Sequence, residues 1–216
     1  MANTNIGSQQ AGQLCIVQNS SKMSARNIEK APWLNALEEE TELFISETLQ
    51  HFQNLEEQTL LRSSATGGWS IAQCLAHLNS YGEYYLPRLQ NELNKPAAHH
   101  AAATYKSSWL GRYLIKLTDP DQSPKKMKAV KKHLPAEQMD AHQVVAEFLE
   151  QQETLLQLLR IARTADVNHM RIPLSIASWV RLPVGDILQF MIVHTRRHLR
   201  QAMANLHPEL IHARHQ

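Results

Sequence analysis

The stretch Pro183-Val184-Gly185-Asp186-Ile187-Leu188-Gln189-Phe190-Met191-Ile192-Val193-His194-Thr195-Arg196-Arg197-His198 sets Ile187, Met191, His194 and His198 four, three and four residues apart. That spacing is one face of an α-helix, opened by a proline whose fixed φ suits a first helical turn. The two histidines continue the apolar stripe, so they stand where core residues would. Imidazoles at i and i+4 reach a single point above the helix surface.

Working outward, three more stripes of the same period appear. Leu34, Leu37, Phe44, Ile45, Thr48, Phe52 and Leu55 predict a helix starting near Pro32. After a break at Ser63-Ser64-Ala65-Thr66-Gly67-Gly68, Ser70 and Gln73 form a capping-box pattern. The helix they open carries Leu75, His77, Leu78, Tyr81, Tyr85 and Leu89, with Pro87 expected to kink or shorten it. Asp140, with Gln143 three residues on, caps a helix whose stripe is Val144, Val145, Phe148, Leu149, Leu155, Leu156, Leu159 and Ala162. Between the second and third stripes, residues 96–139 form a long crossover. It contains a short amphipathic piece at Trp109–Leu117 and, between 125 and 132, a cluster of five lysines: Lys125, Lys126, Lys128, Lys131 and Lys132. Residues 164–182 read as irregular. Seven glycines in 216 residues, without alternating apolar and polar runs, match helical usage. The expectation is an all-α fold, a four-helix bundle with one long crossover connection. Its domain spans 27–207, between a mobile leader at 1–26 and a frayed tail at 208–216.

Composition limits the function classes. A net charge of +2 gives no general reason to expect nucleic acid or an anionic membrane as partner. No window approaches the roughly 20 apolar residues that span a bilayer, and two cysteines, Cys15 and Cys74, suit a reducing compartment. A cytoplasmic protein is expected.

Three imidazoles, His77, His194 and His198, make a metal site plausible, and such a set leaves a coordination position open. Spacing alone more often marks histidines that satisfy a buried hydrogen bond or lie on a solvated face. The segment Trp69-Ser70-Ile71-Ala72-Gln73-Cys74-Leu75-Ala76-His77-Leu78, followed by His194-Thr195-Arg196-Arg197-His198-Leu199-Arg200-Gln201, resembles the two halves of the signature of the DinB-like family of metalloenzymes. The resemblance covers roughly Trp33 to His207. It implies a bundle with an ion between the second and fourth long helices, held by His77, His194 and His198. It further implies kinship with thiol S-transferases and with relatives that form homodimers, although no helix pattern here names an interface. This chain departs from the pattern in its long 96–139 stretch and in a last helix without a polar cap.

Around that set, Gln201 is a candidate to fix one imidazole from outside, Cys74 reads as a small core residue rather than a thiolate ligand, and Tyr81 reads as core with a hydroxyl that could meet a substrate. The lysines read as solvated surface. His99, His100, His207, His212 and His215 lie in poorly patterned segments and suggest only adventitious metal capture. A divalent ion is the expected cofactor, zinc foremost, with nickel, iron, manganese or copper also suited to imidazole. Thiol transfer, in which the ion activates a low-molecular-weight thiol for attack on an electrophile, comes first, because no carboxylate motif supplies a general base. A hydrolase using metal-bound hydroxide on a small ester or amide is the alternative, and a non-catalytic metal- or ligand-binding bundle the third reading.

Overall fold

A computed structural model describes residues 27–65, 67–96, 101–123 and 128–206. The 1–26 leader, the 208–216 tail, Lys125, Lys126 and His99, His100, His207, His212 and His215 lie outside the described residues. In chain order the elements are β1 (Ile28–Glu29), α1 (Lys30–His51), α2 (Glu57–Leu61), α3 (Ile71–Leu93), β2 (Thr104–Tyr105), α4 (Trp109–Thr118), a 3-10 turn (Lys131–His133), α5 (Ala141–Ala162), β3 (Arg171–Leu174), β4 (Ala177–Pro183) and α6 (Val184–Leu206).

The four long helices α1, α3, α5 and α6 form the expected bundle, and each buries the face its stripe marked. Leu34, Leu37 and Phe44 of α1, Leu75 and Leu89 of α3, Phe148 and Leu159 of α5, and Ile187 and Ile192 of α6 share one core. Both α1 and α3 pack against α5 and α6, so α1 and α3, and likewise α5 and α6, stand across the bundle from each other. The α3–α6 seam therefore joins the second long helix to the fourth.

Local chemistry explains the helix ends. Gly67, at a positive φ of 72°, turns the chain ahead of α3. The Ser70 hydroxyl then accepts from the Gln73 amide at 3.1 Å while the Gln73 side chain accepts from the Ser70 amide at 3.0 Å, the predicted capping box. Asp140 caps α5 through the Gln143 amide as expected. Helix α1 begins at Lys30, before Pro32, because its first amide donates to the Ala103 carbonyl at 2.8 Å beside the β1–β2 pairing. Pro87 does not shorten α3, which continues to Leu93. That proline is exposed, so the carbonyl it leaves without an amide partner is on the solvent side.

The span 164–182, read as irregular, contains an antiparallel hairpin of β3 and β4, with Ile172 opposite Leu182 and a register irregularity after Pro173. Its short, proline-interrupted runs carry too little alternation to show in the sequence. The hairpin leads straight into α6 and removes the need for a polar cap: the Val184 and Gly185 amides donate to the Met170 and Val167 carbonyls at 2.8 and 2.9 Å.

The crossover is tied to α6 by Asp186, which has no exposed surface. Its carboxylate accepts from the Tyr105 hydroxyl (2.7 Å), the Ser107 hydroxyl (2.6 Å) and both the hydroxyl (2.6 Å) and amide (3.1 Å) of Ser108. Ser108 in turn caps α4 by accepting from the Gly111 amide at 3.0 Å, and a Cβ at Gly111 would overlap the Asp186 carboxylate. The Tyr105 ring stacks on Trp33 at 4.0 Å between centroids, and the Trp33 indole donates to Gln189 at 2.6 Å. Asp186→Ala strands several buried donors and is expected to lower unfolding free energy by about 3 kcal/mol; Gly111→Ala, which must push the carboxylate aside, by about 1–3 kcal/mol. Denaturant unfolding of both variants measures this, and values near zero would show that the network does not hold the crossover.

Candidate metal centre

Helix α3 brings His77 to the seam two turns after its cap, and α6 brings His194 and His198 from the other side. The three residues each offer a ring nitrogen, and these atoms lie within 4.8 Å of one another. His77 and His194 approach Nε2 to Nε2 at 3.2 Å. The sequence-based trio is therefore brought together in space, with a geometry that could hold a metal ion.

The tautomer of His77 follows from its partner. Its Nδ1 lies 2.7 Å from the carbonyl oxygen of His133, which can only accept, so Nδ1 carries the hydrogen and Nε2 keeps its lone pair when the ring is neutral. Two ring nitrogens face one another across the seam, and a cation between them suits that arrangement. The Nδ1 of His198 is also buried without a hydrogen-bond partner. Gln201 lies alongside His198 and favours its charged form, but leaves that nitrogen unsatisfied. The donor set fits a divalent ion: neutral imidazoles, one oriented by a carbonyl, and orphaned nitrogen in an enclosed space.

Electrostatics keep the rings neutral. Burial first, then repulsion from the neighbouring histidines and Arg197, holds His194 well below the ordinary histidine value. The same causes, burial, His77 and Arg197, bring His198 down to about 3. Burial also lowers His77, against the opposing pull of its bond to His133. Neutral imidazole is the metal-binding form.

Aromatic rings wall the cluster. Trp69, just ahead of the α3 cap, lies 4.9 Å from the His77 ring and 5.8 Å from that of His198, and its carbonyl accepts from Asn205 at 2.8 Å. Phe190 stacks on His194 at 5.3 Å. Tyr81 meets His77 and His194 edge to face at 5.1 and 4.5 Å; burial pushes its phenol up to about 12, so it stays protonated. A small cavity between α3, α5 and α6 reaches His194 and is walled by Leu78, Tyr81, Gln152 and Met191. Cys74 is fully buried in the core, its thiol pushed up to about 12 by burial, and it is not among the converging groups.

One residue at the site carries no sequence signal. His133, in the 3-10 turn of the crossover, is 2% exposed and stacks on Tyr81 at 3.8 Å. Burial, followed by His77 and Lys132, lowers it to about 4. Its neighbours are lysines and an irregular loop, so no periodicity marks it. The lysines are not all solvated either: Lys132 donates to the Ser175 carbonyl at 3.1 Å and lies 4.7 Å over the Tyr84 ring. The arginines between the two α6 histidines fasten α6 to its other neighbours. Arg196 pairs through both nitrogen positions with Glu40 of α1, its Nη2 at 2.6 Å, and Arg197 donates to the Thr118 and Ser123 carbonyls at 3.2 and 2.9 Å.

Fold and site together define a helical bundle with a three-histidine cluster in the seam between its second and fourth long helices. The family model of the DinB superfamily matches residues 40–202, and the chain belongs to that superfamily. Its fold is similar to that of YfiT from Bacillus subtilis, described as "a probable metal-dependent hydrolase with an unusual four-helix bundle topology", at a TM-score of 0.50 and 12% identity over 80% of this chain and 85% of that one. No curated protein matches this chain. No described helix is long and apolar enough to cross a membrane.

Because the buried rings bind protons less readily folded than unfolded, the unfolded chain takes up more protons below the ordinary histidine value. Stability without metal is thus complete above about pH 6.5 and declines as pH falls toward the lowered values of His133 (about 4) and His198 (about 3). Melting of the metal-free protein is expected to drop by more than about 5 °C between pH 7 and pH 4.5, and less steeply in His198→Gln. An unchanged slope in that variant would refute the assignment.

Proposed function

We propose that the chain is a divalent-metal-dependent hydrolase of small molecules, with His77, His194 and His198 as the protein ligands and zinc as the ion. The observation that carries this reading is the convergence of three enclosed, neutral imidazoles from two helices, with no Cys, Asp, Glu or further His within that mutual distance among the described residues. Membership of the DinB superfamily and the likeness to a fold described as a probable metal-dependent hydrolase support it.

A divalent ion held there would supply positive charge that makes a bound water or thiol acidic and polarises a carbonyl. The chain's own residues prepare the place. The His133 carbonyl fixes the His77 ring so that Nε2 faces the cluster, and the lowered basicity of His194 and His198 keeps their lone pairs free of protons. Trp69, Tyr81 and Phe190 exclude bulk water, which strengthens each electrostatic contact inside.

Thiol transfer is the second reading, favoured by the absence of any carboxylate from the converging group. The sequence pattern favours it on the same ground, that no carboxylate motif supplies a general base, and the presence of His133 beside the cluster weakens that ground. A small thiol and its electrophile would then be the substrates, and a homodimer the form in solution.

Untagged protein is expected to carry about one divalent ion per chain, and His77→Ala to lose at least about 100-fold in ion affinity, since even groups outside the ligand set cost up to that much. Elemental analysis and competition with a chelator measure both. Cleavage of small esters or amides should proceed without thiol, stop on chelation and return with the ion. A strict requirement for added thiol would select transfer instead, and retained metal without turnover of either kind would leave a binding bundle.

A further inference from the structure

Ser80 determines how His133 is protonated. Its hydroxyl hydrogen goes to the His77 carbonyl at 2.7 Å, so in the 3.0 Å contact with His133 Nδ1 the hydroxyl oxygen accepts and the ring N–H donates. The lone pair of the neutral His133 ring is therefore on Nε2. That atom is shut off from solvent and has no hydrogen-bond partner, although buried acceptors in folded proteins are nearly always satisfied.

The ring stacks on the same Tyr81 whose edge meets His77 and His194, and it is close enough to feel both: His77 opposes protonation of His133, and His133 opposes that of His194. It nevertheless stands outside the set of ring nitrogens that lie mutually within 4.8 Å. An acceptor beside the cluster, but not in it, suits the group that occupies the coordination position the three ligands leave open.

Resting on the metal reading above, we propose that His133 Nε2 accepts the hydrogen carried by the exogenous ligand at that open position. The site then selects ligands whose binding atom keeps a hydrogen, as water and amine-type nitrogen do, over those that have none. His133 serves twice: its carbonyl orients His77, and its imidazole reads the incoming group.

Azide and the singly protonated cyanamide anion test this, because they match in shape and charge and differ by one hydrogen. The full chain is loaded with Co2+, and the visible absorption is followed while each anion is added to wild type, His133→Leu and His133→Gln. In His133→Leu, cyanamide is expected to weaken by about tenfold relative to azide, the loss of one hydrogen bond in an enclosed site. His133→Gln, which keeps an acceptor, should stay within about threefold of wild type, and Co2+ affinity should hold in both variants. Equal weakening of both anions, no weakening, or loss of Co2+ from His133→Leu would overturn the proposal. If His133→Leu does not fold, Ser80→Ala, which frees the ring to change tautomer, should show the same cyanamide-selective loss, and its absence would overturn the proposal equally. Failure of the wild-type chain to take up Co2+ sinks the metal reading and this role with it; uptake without cyanamide selectivity sinks only the role of His133.

Discussion

Imidazoles replace leucine-like residues in the seam between α3 and α6, and the need to satisfy their nitrogens away from water is the constraint around which the rest is arranged. A buried polar atom without a partner is costly, and His77 and His194, like neighbouring His133, are nearly sealed. Helix packing alone cannot supply those partners, because helix backbones have already committed their amides and carbonyls internally. The partner for His77 comes from irregular chain, the His133 carbonyl of the 3-10 turn.

This explains why the connection between α3 and α5 is elaborate rather than a tight turn. A segment that must deliver one carbonyl and one imidazole to the seam has to be held at several points. Asp186 gathers Tyr105, Ser107 and Ser108 at the start of α6. Farther along the same helix, Arg197 takes the Thr118 and Ser123 carbonyls and Arg200 pairs with Asp121 at 2.6 Å. Within the turn itself, Lys132 reaches the hairpin carbonyl of Ser175. Helix α6 thus has two tasks along one length: one face presents the histidines and the others pin the loop that orients their partner.

What the sequence made legible follows from how local each signal is. Ser70 with Gln73 and Asp140 with Gln143 are caps made within three residues, and their side chains bond as the pattern predicts. The His194–His198 spacing and the stripes at Leu75, Phe148 and Ile187 depend only on helical period and mark the bundle and the paired histidines, whereas the joining of His77 to them, 117 positions from His194, was implied by the family resemblance and not by spacing. His133, Asp186 and the hairpin at 171–183 depend on long-range contact. His133 meets His77 across 56 positions and Asp186 meets Tyr105 across 81, and no short window records either. Arg196 and Arg197 were visible as charges, but nothing local shows that their partners are Glu40 and the end of α4.

The pairing of α3 with α6 across most of the chain makes the centre and the fold depend on each other. His77 and His194 are 117 positions apart, so a cation shared by them would close a long loop, and closing long loops removes the most entropy from the unfolded chain. Part of that free energy would therefore appear as stability of the whole bundle, because the unfolded chain has no such site. Yet the ring of His77 is already oriented by a carbonyl, and α6 is already fastened to α1 through Arg196 and Glu40. The ligands are prearranged by contacts that do not involve the ion, which lowers the ordering cost of binding it. A site built this way can keep a rigid three-nitrogen face while leaving its remaining position to exchangeable groups, the property that small-molecule chemistry at such a centre requires.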